Sequence, residues 1–343
     1  MTEQSPRVLA AAFGHLARLS DDTGLSEHAR SANPRREHGY CLDDVARGLV
    51  VVCREPNPGP ALDLLAERYL AFTAHAQGPD GGFRNRLGFD RRWQDEPSVG
   101  DWWGRALWGL GTAAARSPLP WVRDDAMYAF ESGVLRRSPW PHSMAFAALG
   151  AAEVLAARPG HQGAGELLGD AALLIARRDP GSAWPWPRER LTYANAVLPE
   201  VLIAAGELLG DAQAARHGRQ LLGWLLSVES EPGHLSPTPS GGRAPGDPRP
   251  AFDQQPIEAA ALADACARAF DADGDPRWAH GVALASGWFL GANDKGAALH
   301  DAHSGGGYDG LHALGHSLNQ GAESTLALIS TLQQDIRTSE GRL

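Results

Sequence analysis

The sequence predicts an all-α fold, an (α/α)6 barrel in which six inner helices lie inside a ring of six outer helices. Alternating β-branched runs of the kind that form strands are nearly absent, whereas Ala and Leu recur at helical spacing. The helical segments are also of two kinds, which alternate along the chain. We expect twelve helices, beginning near Pro6, Asp43, Pro60, Gly100, Leu119, Trp140, Gly163, Glu189, Asp211, Gln254, Asp275 and Leu318.

The two kinds of segment differ in how much of their surface is apolar. One kind is amphipathic with a charged face and includes Ala61–Ala76, Val122–Arg136, Gln213–Leu226 and Arg277–Leu290. The other kind is small and apolar on nearly all sides and includes Val45–Cys53, Gly104–Ala115, Ser143–Ala156, Ala194–Ala205, Ala259–Ala269 and Ala322–Leu332. A helix that is apolar all round has to be buried on all sides. The alternation therefore predicts an inner and an outer ring.

Length and composition fit a single domain. The chain has 343 residues, of which 43% are hydrophobic, and a closed barrel of this length commonly forms one domain. We expect residues 1–343 to form one toroid with short flexible ends near 1–5 and 336–343.

Charge and terminal sequence exclude several classes of protein. The formal net charge of -10 argues against a general nucleic-acid binder, because no excess of Lys and Arg is available to meet phosphates. The polar start MTEQSPR is not a signal peptide, and no apolar run reaches membrane-spanning length. Cys41, Cys53 and Cys266 predict buried thiols and no disulfide framework. We expect a cytoplasmic protein that does not contact a membrane.

Four long loops precede inner helices and are rich in Gly, Pro and Trp: Gly78–Val99, Asp179–Arg188, Glu231–Phe252 and Asn293–Gly315. Long loops in a compact domain commonly carry function. If the two rings alternate in direction, all six inner helices begin at the same end. We therefore expect these loops to converge over one mouth of the barrel.

Polar residues gather at the starts of the six inner helices, while the helix bodies are apolar. In chain order, the six groups are His38, Tyr40, Asp43, Asp44 and Arg47; Asp101, Trp102, Trp103 and Arg105; Trp140, His142 and Ser143; Trp184, Trp186, Tyr193 and Asn195; Asp253, Gln254, Gln255 and Glu258; and Tyr308, Asp309, Asn319, Gln320 and Glu323.

Each of these residues also has a structural explanation. Asp43, Asp101 and Asp253 occupy positions where helix N-caps are expected. Asp43 with Arg47, and Asp101 with Arg105, are spaced as i,i+4 ion pairs, and Ser317 with Gln320 fits a capping box. Caps account for one polar residue per helix but not for clusters that continue into an apolar helix, where an unpaired charge is costly.

Glycoside cleavage is the chemistry that best explains the set. An oxocarbenium-like transition state requires one carboxylic acid for the leaving oxygen and one carboxylate as base or nucleophile. Asp101 and Asp253 are the first candidates, with Asp44, Glu258 and Glu323 in reserve. The other residues of the six groups, apart from Trp140 and Ser143, are expected to bind an oligosaccharide or glycoside through hydroxyls and ring faces.

Six strings resemble a bacterial family of the six-hairpin glycosidase type, whose members often carry glycosyltransferase-associated or glycosidase-related labels. The strings are HGYCLDDVAR (His38–Arg47), GRALWGLG (Gly104–Gly111), WPWPRERLTYANAVLPEVLI (Trp184–Ile203), FDQQPIEAAA (Phe252–Ala261), WFLGAND (Trp288–Asp294) and NQGAESTLA (Asn319–Ala327). The resemblance implies the toroid, a carbohydrate context, mannoside-related substrates and a glycosyltransferase or glycoside-processing partner. One acidic position before GRALW in the family is Gly100 in this chain.

Three other functions remain open. A non-catalytic sugar-binding or scaffold partner of a glycosyltransferase would keep the aromatic and amide residues without an acid–base pair, and Gly100 fits that alternative. A sugar epimerase or isomerase would use two His bases, for which His38 and His142 are available. His312 and His316, with His300 and His303 nearby, could hold zinc, but the Cys spacing and the lack of a His-Glu-x-x-His string predict no metal and no cofactor.

Overall fold

The computed structural model describes residues 4–176, 184–230 and 233–340. This part of the chain contains twelve α-helices: α1 (Gln4–Leu19), α2 (Leu42–Arg54), α3 (Pro60–Ala76), α4 (Asp101–Arg116), α5 (Pro120–Gly133), α6 (Pro141–Ala157), α7 (Gln162–Ile175), α8 (Val197–Leu209), α9 (Ala212–Glu229), α10 (Pro256–Asp273), α11 (Pro276–Phe289) and α12 (Ala322–Glu340). Eleven begin within four residues of the predicted start.

The even-numbered helices form a closed inner ring. Each of α2, α4, α6, α8, α10 and α12 packs on the next, and α12 closes the ring against α2. The helices α3, α5, α7, α9, α11 and α1 pack outside α2, α4, α6, α8, α10 and α12 in that order. The predicted (α/α)6 barrel is therefore confirmed.

Small residues on the inner helices allow their backbones to approach closely. A side chain at Gly111 of α4 would collide with the carbonyl oxygen of Gly150 of α6, and one at Gly150 would collide with the carbonyl oxygen of Leu107. Only glycine permits this contact, because it has no Cβ. The Ala- and Gly-rich composition of these helices is thus a packing requirement of the ring.

The six inner helices begin at the same end of the barrel, which we call the mouth. Side chains from adjacent helix starts contact one another around this end: Arg47 with Glu323, Asp43 with Arg105, Ser143 with Asp101, and Asn195 with Glu258. At the opposite end, the base, Arg116 at the end of α4 pairs with Glu153 of α6. The prediction of one mouth is confirmed.

Short hairpins and a 3-10 helix supplement the helices. Strand β1 (Ala29–Arg30) pairs with β2 (Asn33–Pro34), β3 (Tyr40–Cys41) with β4 (Arg86–Leu87), and β5 (Leu311–His312) with β6 (Gly315–His316), all antiparallel. The 3-10 helix spans Arg36–His38. In the described ranges no helix is both long and apolar enough to span a membrane.

Three predictions of the element pattern are wrong or fall outside the described ranges. The helix expected near Glu189 begins at Val197, because residues 184–196 form a loop closed by a backbone pair between Leu191 and Arg243. Residues 336–340 are helical, since α12 continues to Glu340, and α1 already includes residues 4 and 5. Within the predicted loops, Asp179–Ala183 and Glu231–Pro232 lie outside the described residues.

Candidate active site

Arg47 holds two carboxyl groups at the mouth. Its Nη2 lies 2.5 Å from Asp44 Oδ1 and its Nη1 lies 2.9 Å from Glu323 Oε2. Asp44 is 4% exposed, whereas the side chain of Glu323 is 41% exposed. The first turns of α2 and α12 thus place one buried and one accessible carboxyl group on a single guanidinium.

The two carboxyl groups have pKa values shifted in opposite directions. Burial raises the pKa of Asp44 to about 7, and the opposing charge of Arg47 does not cancel this effect. Burial would also raise the pKa of Glu323, but Arg47 and Arg105 outweigh it and hold that pKa below its ordinary value. Near neutral pH, Asp44 retains a substantial protonated fraction while Glu323 is ionised.

Arg105 forms the second cationic contact of the mouth. Its Nη1 lies 3.0 Å from Asp43 Oδ2, and its guanidinium lies 4.6 Å from the centre of the Phe146 ring. The expected pairs of Asp43 with Arg47 and Asp101 with Arg105 are wrong. Arg47 instead reaches Asp44 and Glu323, because neighbouring helices present carboxyl groups to both arginines.

Asp101 accepts hydrogen bonds from two hydroxyl groups. Ser143 Oγ donates to Asp101 Oδ1 at 2.6 Å, and the Tyr193 hydroxyl donates to Oδ2. The His142 ring stacks on Tyr193 with centroids 4.4 Å apart. Burial lowers the pKa of His142 to about 4, although Asp101 opposes the shift, so His142 is neutral at neutral pH.

Three buried side-chain atoms in this region have no hydrogen-bond partner among the described residues: Asp43 Oδ1, Arg105 Nε and His142 Nε2. Asp43 pairs with Arg105, and His142 stacks on Tyr193, whose hydroxyl bonds Asp101 one helical turn before Arg105 on α4. Buried polar atoms are normally satisfied by protein, water or ligand. One acceptor, one donor and one imidazole nitrogen suit the hydroxyl groups of a polar ligand.

Glu258 holds the backbone next to these three residues and does not itself line the site. Its Oε1 accepts from the Ala194 backbone N–H at 2.5 Å, and Oε2 accepts from Asn195 Nδ2 at 3.1 Å and its N–H at 3.3 Å. Ala194 has a φ of 43°, in the left-handed region that costs a non-glycine residue free energy. Burial, with the nearby Glu229, raises the pKa of Glu258 to about 8. Glu258 therefore fixes the turn that carries Tyr193.

The capping explanations of the sequence pattern are wrong. The N-cap positions of α2, α4 and α10 are Cys41, Gly100 and Gln255, so Asp43, Asp101 and Asp253 cap none of them. Ser317 and Gln320 form no capping box, because α12 begins only at Ala322. Asp309 serves this helix instead, since its Oδ1 accepts from the Gly321 N–H at 2.8 Å and Ser324 Oγ at 2.7 Å.

Asp253 lies at the outer rim of the mouth. Its side chain is 56% exposed and its Oδ1 lies 2.7 Å from His312 Nδ1. The adjacent Gln254 is fully buried, donates to Asp294 at 2.6 Å and accepts from the Trp288 indole at 3.0 Å. Asp253 is therefore far more exposed to solvent than the buried carboxyl group of Asp44 on α2.

The aromatic candidates divide by exposure. Trp103 and Trp186 are at most 1% exposed and pack in the core, so they present no ring face to a ligand. Trp102 and Trp184 are partly exposed, with indole N–H groups bonded to the Phe83 and Arg188 carbonyl oxygens. A side chain at Gly100 would meet the Trp102 ring at 2.6 Å. The glycine and this ring orientation therefore depend on each other.

The remaining predicted ligand-binding residues are held by other protein groups. The Tyr40 hydroxyl donates to Asp21, Asn319 accepts from the Ser31 N–H, and buried Gln320 donates to Asp301. His38 is exposed with its ring edge-on to His28, and Tyr308 stacks on His316.

Comparison with solved structures identifies the architecture. A sugar epimerase from a ruminal bacterium superposes with a TM-score of 0.74 at 12% identity, covering 97% of this chain and 98% of that one. D-mannose isomerase gives 0.70 at 10%, covering 98% of each chain. The GH76 alpha-mannanase of Bacteroides thetaiotaomicron gives 0.66 at 10%, covering 99% and 97%. The chain shares the (α/α)6-barrel fold of these structures. Neither a family model nor a curated protein sequence matches it.

One group of possible metal ligands occurs in the described ranges: Glu27, Cys41 and Asp44. Arg86 and Arg47 already pair with Glu27 and Asp44. Burial raises the pKa of Cys41 well above its ordinary value, so the thiol stays protonated. These contacts disfavour a cation, because a metal ligand has to be deprotonated and free of competing positive charge.

The sequence pattern missed the charges at the base of the barrel. Glu153, Glu200 and Asp264 are at most 5% exposed and lie in helix bodies that were predicted to be apolar. A single carboxylate in an Ala-rich run, such as Asp264 in ALADACARAF, was the available signal.

Proposed function

We propose that the protein is a carbohydrate-active enzyme that cleaves a glycosidic bond at the mouth by carboxylate general acid/base catalysis. The supporting observation is that Asp44 and Glu323 share Arg47 while their pKa values are shifted in opposite directions. Two carboxyl groups separated in pKa by their environments can act as acid and base at the same pH.

In this proposal Asp44 is the general acid and Glu323 is the general base of an inverting reaction. Asp44 gives its proton to the glycosidic oxygen as the bond to the anomeric carbon breaks. Glu323 removes a proton from the water whose oxygen bonds to that carbon from the opposite face. Asp43, Arg105 and His142 bind hydroxyl groups of the sugar through the three unpartnered atoms described above.

Two structural neighbours favour a glycan as substrate. The GH76 alpha-mannanase and a cellulase of Clostridium cellulolyticum, with a TM-score of 0.64 at 8% identity, have the same fold. Mannosides and glucosides are therefore the first substrates to examine.

A sugar epimerase or isomerase is the second candidate, because His142 is neutral and its Nε2 has no partner among the described residues. A neutral imidazole can remove a proton next to a carbonyl group. The other proposed base, His38, lies in an exposed 3-10 helix. A sugar epimerase and D-mannose isomerase also share the fold.

The decisive experiment offers purified protein 4-nitrophenyl mannosides and glucosides, short manno- and gluco-oligosaccharides, and free D-mannose and cellobiose, with products analysed by NMR. Cleavage with inversion supports the hydrolase. Epimerised or isomerised sugar without cleavage supports the second candidate. Binding without any product supports the non-catalytic sugar-binding alternative. The glycosyltransferase partner implied by the sequence remains a prediction.

Matched variants test the assignment of roles. Glu323→Gln should lower kcat on the order of a hundredfold or more, because an amide cannot accept the proton. Asp253→Asn is the corresponding acid-to-amide change at the rim and should leave kcat within about twofold, since the Asp253 carboxylate is exposed and pairs with His312. Equal losses in the two variants would contradict the assignment, and so would a loss only in Asp253→Asn.

A further inference from the structure

The base of the barrel contains a second polar pocket that the proposed catalysis does not use. We call it the base pocket; Arg54, Arg116, Glu200, Asp264, Arg268 and Gln333 line it, and it contains about 1400 Å³ including its open rim. Arg116 at this rim is 49% exposed. The pocket is therefore accessible from the face opposite the mouth.

Ion pairs between inner helices build its floor. Arg54 lies 2.9 Å from Asp264 Oδ1, Arg268 lies 3.1 Å from Glu200 Oε1, and Arg116 lies 2.6 Å from Glu153 Oε2. Ser330 and Gln334 of α12 add hydrogen bonds to Asp264. All six inner helices thus contribute a polar side chain to one layer.

This layer separates the base pocket from the mouth. Above it, an interior cavity extends from Arg47 and Arg105 down to Glu200 and Asp264. The walls between these two levels are largely apolar and include Val50, Trp108, Phe146, Ile257 and Leu326. A polar ligand in the base pocket is therefore spatially separate from one at the mouth.

Two side chains that line the base pocket each have a buried acceptor atom with no hydrogen-bond partner among the described residues. Glu200, only 2% exposed, uses Oε1 for Arg268 but leaves Oε2 unpartnered. Gln333 donates its amide to the Val51 carbonyl oxygen and Glu55, which fixes its orientation and leaves Oε1 unpartnered. A buried acceptor without a donor is costly, so both atoms point to a ligand or water that donates.

We propose that the base pocket binds a small neutral polyhydroxy compound, a sugar or polyol, independently of the mouth. Its hydroxyl groups would donate to Glu200 Oε2 and Gln333 Oε1 and accept from the arginine N–H groups at the rim. A hydroxyl group serves both needs, because it donates and accepts. A fully deprotonated anion supplies no donors, and a metal cation would meet Arg54, Arg116 and Arg268.

The test measures binding of D-mannose, D-glucose and myo-inositol by hydrogen–deuterium exchange in the Glu323→Gln protein, so that no substrate is consumed. We expect at least one of these compounds to slow exchange at least twofold in residues 197–205 and 326–340. Mouth residues 101–110 report the other site separately. Protection confined to the mouth would overturn the proposal while leaving the proposed function intact.

Two variants then examine the acceptors themselves. Gln333→Leu should raise the dissociation constant for the base pocket at least tenfold, and Glu200→Gln should raise it severalfold, with circular dichroism confirming the fold. Asp43→Asn, the matched mouth variant, should leave that constant within twofold. Unchanged affinity in folded Gln333→Leu would overturn the proposal. So would base-pocket protection by spermidine or inorganic phosphate but by none of the neutral compounds.

Discussion

The mouth and the base of the barrel contain the same kinds of charged side chains, but these side chains have different roles at the two sites. At both, arginines pair with carboxylates across neighbouring inner helices. At the base the paired carboxylates Glu153, Glu200 and Asp264 are at most 5% exposed. At the mouth, Glu323 is 41% exposed and three buried polar atoms of Asp43, Arg105 and His142 have no partner among the described residues. Glu200 Oε2 and Gln333 Oε1 at the base are also unpartnered among the described residues. Ion pairs and unmet hydrogen bonds therefore do not by themselves identify a reactive site; an accessible carboxyl group beside a buried one distinguishes the mouth.

Helix direction contributes to this difference. The mouth receives the N-termini of inner helices, and Asp43, Asp44, Asp101 and Glu323 lie in first turns, where the helix dipole favours negative charge. Arg54 and Arg116 lie in last turns at the base, where it favours positive charge. An acid at the base therefore depends more on its arginine partner.

The largest effect should come from breaking an ion pair at the base of the barrel. Arg268→Met leaves the buried Glu200 carboxylate without its cation and should lower the free energy of unfolding by about 3–5 kcal/mol. Arg337→Met removes the partner of Asp271, which is 52% exposed, and should cost about 1 kcal/mol or less. Chemical denaturation measures both. Equal losses of unfolding free energy in the two variants would mean that the buried ion pairs at the base stabilise the protein no more than an exposed pair does.

The second-largest effect should be the pH dependence of stability, which should reveal the titration of Glu258, the carboxyl group that supports the mouth. The folded pKa of Glu258 is raised to about 8, so its contribution is complete below its unfolded pKa near 4.5 and is lost as pH rises through 8. The slope corresponds to about 1.4 kcal/mol for each unit of raised pKa. Urea unfolding between pH 5 and 9 should show this decline, and Glu258→Gln should flatten it. An unchanged profile in that variant would exclude Glu258 as the source.

A smaller effect is expected from the Tyr193 hydroxyl. Tyr193→Phe removes one donor to Asp101 and should lower kcat/KM about tenfold, because a hydrogen bond to a charged group contributes about 1.5–3 kcal/mol. Tyr69→Phe is the matched control, since its hydroxyl bonds Ser20 away from the mouth. Steady-state kinetics on the substrate found in the screen compares them. Similar losses in both would point to a general packing effect.

The smallest effect should separate two tryptophans. Trp102→Ala should weaken sugar binding by about 1 kcal/mol with little change in melting temperature, because its partly exposed ring can stack on a sugar. Trp186→Ala should lower the melting temperature, because its ring is 1% exposed and stacks on Trp224. Calorimetry on both variants checks this. Weaker binding only in Trp186→Ala would reverse the assignment.

The sequence by itself determined the helices and their arrangement in two rings. Helical periodicity and all-round apolarity are local properties, so eleven starts, the closed barrel and a single polar mouth could be predicted from them. Among the helix starts, only the one before α8 was wrong, because residues 189–196 have helix-forming composition but Leu191 forms an isolated backbone bridge with the distant Arg243.

Only the tertiary structure decided which charges meet. Spacing suggested that Arg47 pairs with Asp43, yet it pairs with Asp44 and with Glu323, 276 residues away. Trp103 and Trp186 were indistinguishable from Trp102 in sequence, and their burial removed them from the site. The base layer followed the same rule, since Arg54 meets Asp264 only because the ring brings together α2 and α10, the two neighbours of α12. Periodicity is encoded along one helix, whereas an ion pair depends on the relative position of two.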